Sequence, residues 1–292
     1  MKAFSGEYPL YELTLFRSIV ALTICLVVII PLEGGFSNLR TKMPLTHFIR
    51  GSSVVIANIA FFSGIAVLPL AEATAIFFIS PLIITVFAFF FLKEAVGYFR
   101  WTALVFGLVG VILIVKPFGF TFRWETLFPL AAACSYALLQ TLTRKLGPTE
   151  KASTMAFYIQ LSFLFYMSVL ALVLHNGQFD IIDHPSFQFL LKAWVWPSDI
   201  DLVLIALIGI CNAFGGYLIS QAYRLSVAGI VAPFEYSSLV LSVFWGIIIW
   251  GEYLSVMSAV GIIIILASGI TITIRESIRR INPSVKKASD RR

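Results

Sequence analysis

Ionisable side chains are scarce in the apolar stretches of this chain, so the few that occur there are the first candidates for chemistry. Glu235 stands in VAPFEYSSLV (231–240), two positions after Pro233. A carboxylate facing lipid at the centre of a helix costs about 2.5–3.5 kcal/mol on insertion scales, so Glu235 should face the interior of a helix bundle. Pro233 removes a backbone donor and would open or kink the helix beside it. We therefore expect Glu235 to contact substrate or to exchange a proton; a structural carboxyl tied to Arg224 or Tyr217 is the alternative.

Amide side chains and one arginine within apolar stretches are further candidates for substrate contact. Asn58 and Asn212 lie in helices that correspond in the internal repeat described below, and each offers a donor and an acceptor. Hydrogen bonding between helices is their other interpretation. Gln140 and Gln160 have the same two interpretations. Arg17 could pair with an anionic group; the alternative is that its side chain extends to the membrane surface.

Aromatic and proline residues complete the candidate site. Tyr236 and Tyr217 could form walls for a planar or apolar substrate. Pro81 and Pro233 interrupt apolar helices and are candidate hinges, although a tolerated helix proline explains Pro81 equally well.

The elements that must position these residues follow from composition. The chain has 292 residues, of which 59% are hydrophobic and 12% charged, against roughly 25% charged in soluble domains. Its apolar runs are about 20 residues long, which is the length that a helix needs to cross a bilayer. We predict an all-α polytopic membrane protein with nine transmembrane helices. The predicted spans are 13–31, 47–67, 72–92, 99–116, 127–143, 153–174, 202–222, 228–250 and 255–274.

An internal repeat explains the odd number of spans. Residues 70–94 resemble residues 227–252, and residues 2–16 parallel residues 145–159. The first four spans thus correspond to the last four, and the fifth span, 127–143, has no partner. We expect an inverted repeat of five-helix units whose first helix would precede Met1, giving ten helices; a protein that truly has nine helices is the alternative.

The repeat sets the expected domain boundaries, and the basic residues set the orientation. The first repeat covers 1–117, the second 118–275, and a basic tail 276–292. With the carboxyl terminus in the cytoplasm, most loop Lys and Arg residues fall on the cytoplasmic side. We therefore expect a multi-pass protein of the cytoplasmic (inner) membrane. The positive charge follows the loops, so the bilayer and not nucleic acid is the expected partner.

Several chemistries lack their sequence signatures in this chain. No GxxxxGK[ST], HExxH or GxSxG motif occurs, and no cofactor, metal site or catalytic residue is predicted. The cysteines carry no CxxC spacing and are expected to be small buried hydrophobes, whereas the histidines lie in or near predicted loops. These residues are Cys25, Cys134, Cys211, His47, His175 and His184. An intramembrane lipid-modifying enzyme or a lipid translocator is the alternative function.

The repeated segments resemble the drug/metabolite transporter superfamily, specifically its EamA-type members with two five-helix domains. The resemblance rests on AVLPLAEATAIFFISPLIITVFAFFFLKE (66–94) with GLVGVILIVKP (107–117), and on AYRLSVAGIVAPFEYSSLVLSVFWGIIIWGE (222–252) with the span from Gly261 to Gly269. LFRS (15–18) also resembles the start of that domain's second helix. The resemblance covers essentially the whole chain apart from the first helix.

The resemblance implies a secondary transporter that moves a small organic metabolite by alternating access. Inverted repeats enclose a site near the bilayer midplane in such proteins. We expect proton coupling or exchange as the driving force, and a small-molecule substrate resembling a nucleoside, S-adenosylmethionine or riboflavin. The direction of transport and the formation of a homodimer stay open.

Overall fold

The computed structural model describes residues 1–92, 98–115, 123–225 and 237–281, and these residues form helices without a strand. The helices are α1 (Leu10–Ile24), α2 (Ile30–Leu32), α3 (Pro44–Ile65), α4 (Leu70–Phe77), α5 (Ser80–Leu92), α6 (Tyr98–Val115), α7 (Leu127–Leu146), α8 (Ala152–Leu174), α9 (Pro185–Leu191), α10 (Asp199–Leu225), α11 (Ser237–Trp250) and α12 (Val256–Ile281). One π-helical stretch, Cys25–Ile29, joins α1 to α2. The predicted all-α class is confirmed.

Apolar helices occur at all nine of the predicted spans within the described residues. Six are long and apolar enough to cross a membrane, and the remaining spans appear as shorter apolar helices. The first span, Leu10–Leu32, continues from α1 through the π-helical stretch into α2. The third span is divided, because α4 ends at Phe77 and α5 begins at Ser80.

The chain folds as two compact units, each built from two separated segments. Unit 1 comprises Met1–Leu68 and Glu125–Arg224, and unit 2 comprises Pro69–Trp124 and Leu225–Arg292. Each unit therefore takes helices from both halves of the proposed sequence repeat. The boundaries 1–117, 118–275 and 276–292 stay a prediction about the repeat.

Small residues bring the helices of unit 1 close together. A Cβ on Gly51 of α3 would lie 1.9 Å from Ser162 Oγ of α8, and a Cβ on Gly209 of α10 would lie 2.8 Å from the carbonyl oxygen of Arg17 in α1. Close backbone approach is the usual contribution of small residues to membrane helix packing. Gly209 therefore sets the position of α10 against the middle of α1.

Unit 2 is held by a close crossing of the α6 and α12 backbones. A Cβ on Gly110 would lie 2.8 Å from the carbonyl oxygen of Gly261, and a Cβ on Gly261 would lie 2.6 Å from that of Gly110. Two carboxylates connect α4 to the chain near this crossing. Glu252 accepts a hydrogen bond of 2.7 Å from the backbone N–H of Leu70, at the start of α4. Glu72 accepts a short one from the Ser258 hydroxyl of α12.

Candidate functional site

One face of α1 carries three polar side chains in the middle of unit 1. Thr14, Arg17 and Ser18 are spaced i, i+3 and i+4, so they share one face of the helix. All three are buried, with relative exposures of 0%, 4% and 0%. Arg17 lies seven residues into α1, about 10 Å from its start at 1.5 Å per residue. This face is the starting point of the candidate site.

Arg17 is buried with hydrogen-bonding capacity left over. Its Nε and Nη2 atoms are buried and have no hydrogen-bond partner. Its guanidinium carbon lies 5.3 Å from the centre of the Phe163 ring in α8, which is a cation–π distance. Arg17 is 4% exposed, so its side chain does not reach the surface of unit 1, and pairing with an anionic group stays a prediction.

Gln160 and Asn58 border the same part of unit 1. Gln160 is 4% exposed and precedes Phe163 by three residues, which places both on one face of α8. Asn58 follows Val55 by three residues in α3, and Val55 packs in one hydrophobic cluster with Phe163. Gln160 Oε1 and Asn58 Oδ1 are buried without a hydrogen-bond partner.

These five residues form what we call the Arg17 cluster: Thr14, Arg17, Ser18, Asn58 and Gln160. Each has at least one buried side-chain atom without a partner. A buried polar group without a partner costs about 1–3 kcal/mol, so five of them on three adjoining helices suit a ligand that supplies the missing bonds. The cluster offers one positive charge, two hydroxyls and two amides beside an aromatic ring. These donors and acceptors suit a polar or anionic solute.

The Tyr8 end of unit 1, where α1 begins, is covered by residues 192–198, which we call the 192–198 strap. The backbone N–H of Ser198 donates to the Tyr8 hydroxyl at 3.3 Å, and the Tyr11 hydroxyl donates to the carbonyl oxygen of Lys192 at 3.0 Å. The Tyr8 hydroxyl in turn donates at 2.7 Å to Asp201, in the first turn of α10. The backbone N–H of Val195 donates to Glu12 Oε2 at 3.1 Å.

Aromatic contacts reinforce this cover. Trp194 of the strap packs against Tyr11 and Phe16, with ring centres 6.2 and 5.7 Å away. The strap thus closes the Tyr8 end with hydrogen bonds and aromatic packing.

The opposite end of unit 1 is held by Glu33, directly after α2. Its carboxylate accepts hydrogen bonds from the backbone N–H of Ser153 at 3.0 Å, from the Tyr217 hydroxyl at 2.9 Å and from the Gln221 amide at 3.1 Å. Its carbonyl oxygen accepts from Lys151 Nζ at 2.8 Å. Glu33 therefore joins the end of α2 to the start of α8 and the end of α10.

The carboxylate of Glu33 is stabilised in its charged form. Burial alone would raise its pKa, but the hydrogen bonds from Ser153 and Tyr217 and the nearby charge of Arg224 outweigh burial, and the pKa lies below its ordinary value. Glu33 stays ionised near neutral pH and keeps its hydrogen bonds. The adjacent turn needs glycine, because Gly34 has a φ of 114°.

A second network lies near the same end, around the first turns of α3. Arg50 is 2% exposed and donates to Thr143 Oγ1 at 2.8 Å and to the carbonyl oxygen of Met155 at 2.9 Å. His47 stacks on Tyr158, with ring centres 4.4 Å apart. His47 and Arg50 lie at the start of the predicted span 47–67, and α3 begins three residues earlier, at Pro44. Both residues therefore lie within the helix and not in the loop before it.

The remaining predicted site residues of unit 1 have individual surroundings. Gln140 donates to the Tyr136 hydroxyl at 2.6 Å within α7. Tyr217 bonds to Glu33 and thus serves the end network and not the Arg17 cluster. Asn212 is half-buried and follows Gly209 by three residues, so the two residues share one face of α10.

Other predicted residues lie in unit 2 or outside the described residues. Pro81 is the second residue of α5, just after the division of the third span, where a missing N–H is tolerated. Its role as a hinge stays a prediction. Glu235, Tyr236 and Pro233 fall outside the described residues, so their proposed roles stay predictions too.

The His, Cys, Asp and Glu side chains of the described residues bear on the expectations for metal sites and for cysteine burial. No group of three or more His, Cys, Asp and Glu side chains lies close enough there to hold a metal ion. Cys25 is buried as expected, whereas Cys134 and Cys211 are exposed.

Sequence reasoning missed three residues of this region. Thr14 and Ser18 could have been found from their spacing with Arg17, since three polar residues at i, i+3 and i+4 within an apolar span mark a polar helix face. Glu33 had a weaker signal, its position between an apolar run and two glycines.

Comparison with known proteins identifies the family. The EamA-like transporter family matches residues 1–116. An uncharacterized transporter of Helicobacter pylori is 30% identical over 276 residues, which cover 90% of this chain and 85% of that protein. The chain belongs to the EamA-like transporter family. The predicted membership is confirmed, and with it the multi-pass membrane architecture.

Other relatives of this EamA-like chain carry more specific names. An S-adenosylmethionine uptake transporter of Rickettsia prowazekii is 25% identical over 91% of this chain and 83% of its own length. A riboflavin transporter of Vibrio cholerae is 29% identical over 80% of this chain and 74% of its own length. One crystal structure shares the fold with a TM-score of 0.65 at 18% identity, covering 96% of this chain and 91% of that chain.

Proposed function

We propose that this small-metabolite transporter binds its solute at the Arg17 cluster and moves it across the cytoplasmic membrane by alternating access. Family membership carries the transporter class. The observation that supports the location is Arg17, which is 4% exposed and keeps two buried donors without a partner. Charged residues inside membrane spans are costly and face bundle interiors or solute pathways. A solute that pairs with Arg17 would offset that cost.

The two closed ends of unit 1 supply the gates for this mechanism. The Tyr8 end is closed by the 192–198 strap, and the other end by the hydrogen bonds of Glu33. Each hydrogen bond contributes about 0.5–1.5 kcal/mol net, so opening either end costs a few kcal/mol. A solute that binds the closed and open states with different affinities can shift an equilibrium of that size. Opening the ends in turn would expose the Arg17 cluster to each side of the membrane.

The energy source and the orientation are further parts of the proposal. Glu235 is the proposed coupling carboxylate, with proton coupling or exchange as the driving force. The carboxyl terminus is proposed to lie in the cytoplasm, because the basic loops favour that side. The inner membrane is supported by the bacterial origin of the relatives. The proposal also includes a homodimer and direct contact of the protein with lipid.

The names of the relatives supply the first solutes to test. Purified protein reconstituted in vesicles should take up labelled S-adenosylmethionine or riboflavin above the rate of empty vesicles, and excess unlabelled solute should compete. Arg17→Gln should lower uptake of the transported solute without lowering the amount of protein inserted. If neither these solutes nor a wider metabolite screen gives uptake above empty vesicles, the proposal fails. Uptake that is unchanged in Arg17→Gln would remove the Arg17 cluster as the binding site.

A further inference from the structure

We infer that Arg17 recognises a carboxylate group of the solute, gripping it side-on through its Nε–H and Nη2–H groups. The inference rests on the proposed function and specifies the chemical class of the solute. It starts from the two atoms of Arg17 that lack partners, Nε and Nη2.

These two atoms lie on the same edge of the guanidinium group. Their N–H bonds are nearly parallel and point away from the side chain together, which matches the two oxygens of a carboxylate. A single unpartnered donor would suit any acceptor, such as a carbonyl or a hydroxyl. Two unpartnered donors on one edge favour a planar acceptor with two oxygens.

Phe163 leaves that edge open. The guanidinium carbon lies 5.3 Å from the centre of the Phe163 ring, so the ring covers the guanidinium group while the N–H bonds of the Nε and Nη2 edge stay unpartnered. Gly209 approaches from α10, where it meets the backbone carbonyl oxygen of Arg17 and not its side chain. The charge is thus held in place without using the donors that would bind a ligand.

The charges around Arg17 favour an anionic group. Thr14, Ser18, Asn58 and Gln160 are neutral, and the positive amino group of Met1 acts on Arg17 and repels it. An uncharged solute would leave the buried guanidinium unpaired, which is costly.

The nearest acidic residue along α1 does not occupy this role. Glu12 is five residues before Arg17, about 140° around the helix, and it accepts a hydrogen bond from Val195 instead. The other buried arginine described in unit 1, Arg50, already donates to Thr143 and Met155. Arg17 is therefore the buried arginine with free donors in the described part of unit 1.

The test compares a carboxylate solute with its uncharged methyl ester in the same protein preparation. The measured quantity is the uptake into vesicles of whichever labelled solute the protein transports. Unlabelled S-adenosylmethionine, its methyl ester and riboflavin are each added as competitors of that uptake. Wild type should bind the acid about tenfold to a hundredfold more tightly than the ester, because charge-assisted hydrogen bonds are lost in the ester. Arg17→Gln should remove most of this preference. Arg17→Lys keeps the positive charge but loses the two parallel N–H donors, so it should retain only part of the preference for the acid.

The outcomes separate this inference from the proposed function. The ratio of the two affinities is measured within one preparation, so loss of folded protein lowers both signals and leaves the ratio unchanged. If solutes are transported but acid and ester compete equally in wild type, or if riboflavin is the preferred solute, the carboxylate inference is wrong and the transporter proposal stands. If no solute is transported by any preparation, both are wrong. An acid preference that survives intact in Arg17→Gln would place carboxylate recognition at another residue.

Discussion

Gly261→Ala tests the close crossing of α6 and α12 in unit 2. The new Cβ would lie 2.6 Å from the carbonyl oxygen of Gly110 and 2.7 Å from Ile114 Cγ1. To restore an ordinary van der Waals distance, the two helices would have to separate by about 0.8 Å. Backbone atoms in a close-packed interior have little room to move otherwise. Overpacking of this kind costs about 1–3 kcal/mol.

The matched control is Gly216→Ala in α10, where nothing described lies within 4 Å of the added Cβ. Both substitutions gain the same helix propensity, about 0.5–1 kcal/mol, so the difference between them isolates the packing cost. At about 2–4 °C per kcal/mol, Gly261→Ala should melt about 2–12 °C below Gly216→Ala in detergent at a fixed scan rate. If the two variants melt together, the backbones of α6 and α12 do not approach as described.

Two further predictions concern unit 1. Gly209→Ala should weaken solute binding in the uptake assay, because its Cβ would lie 2.8 Å from the Arg17 carbonyl oxygen, whereas Gly215→Ala has open space and should not; equal effects would contradict this role of Gly209. Glu33→Gln should lower the melting temperature, because the pKa of Glu33 is below its ordinary value and the ionised form stabilises the fold. That stability is present above the unfolded pKa and is lost as pH falls through the folded pKa. The difference in melting temperature between wild type and Glu33→Gln should therefore disappear on acidification, and a difference that grows at low pH would refute this assignment.

The fold class was predictable from the sequence because one physical constraint dominates it. In a bilayer, backbone groups must be satisfied within helices, so runs of about 20 apolar residues leave a single structural solution. The ends of the helices were less predictable. Arg50 illustrates this, since a charge near a span boundary usually marks a loop, yet two buried acceptors hold it inside α3.

The candidate site was predictable only in part, for a similar reason. Arg17, Asn58 and Gln160 stand out as polar residues in apolar runs, and Arg17 packs against the ring of Phe163. Tyr217 was a reasonable aromatic candidate, but its hydroxyl is used by Glu33, a contact between residues 184 positions apart that no local pattern reveals.

Local sequence patterns also did not predict how the chain divides into unit 1 and unit 2. Each compact unit combines segments from both halves of the chain, because residues 1–68 pack with residues 125–224. The repeat boundaries 1–117 and 118–275 are a separate matter and stay a prediction.

Protection of a cysteine at position 18 from a thiol reagent tests the central claim most directly. Ser18→Cys is made in a background without Cys25, Cys134 and Cys211, and labelled with a small hydrophilic methanethiosulfonate in transporting vesicles. Asp180→Cys in the same background gives the control, because position 180 is exposed in the loop between α8 and α9 and lies outside the membrane spans. The account predicts that transported solute slows labelling at position 18 and leaves labelling at position 180 unchanged. Labelling at position 18 that is unaffected by saturating solute, or that never occurs in vesicles that transport, would contradict a solute pathway through the Arg17 cluster.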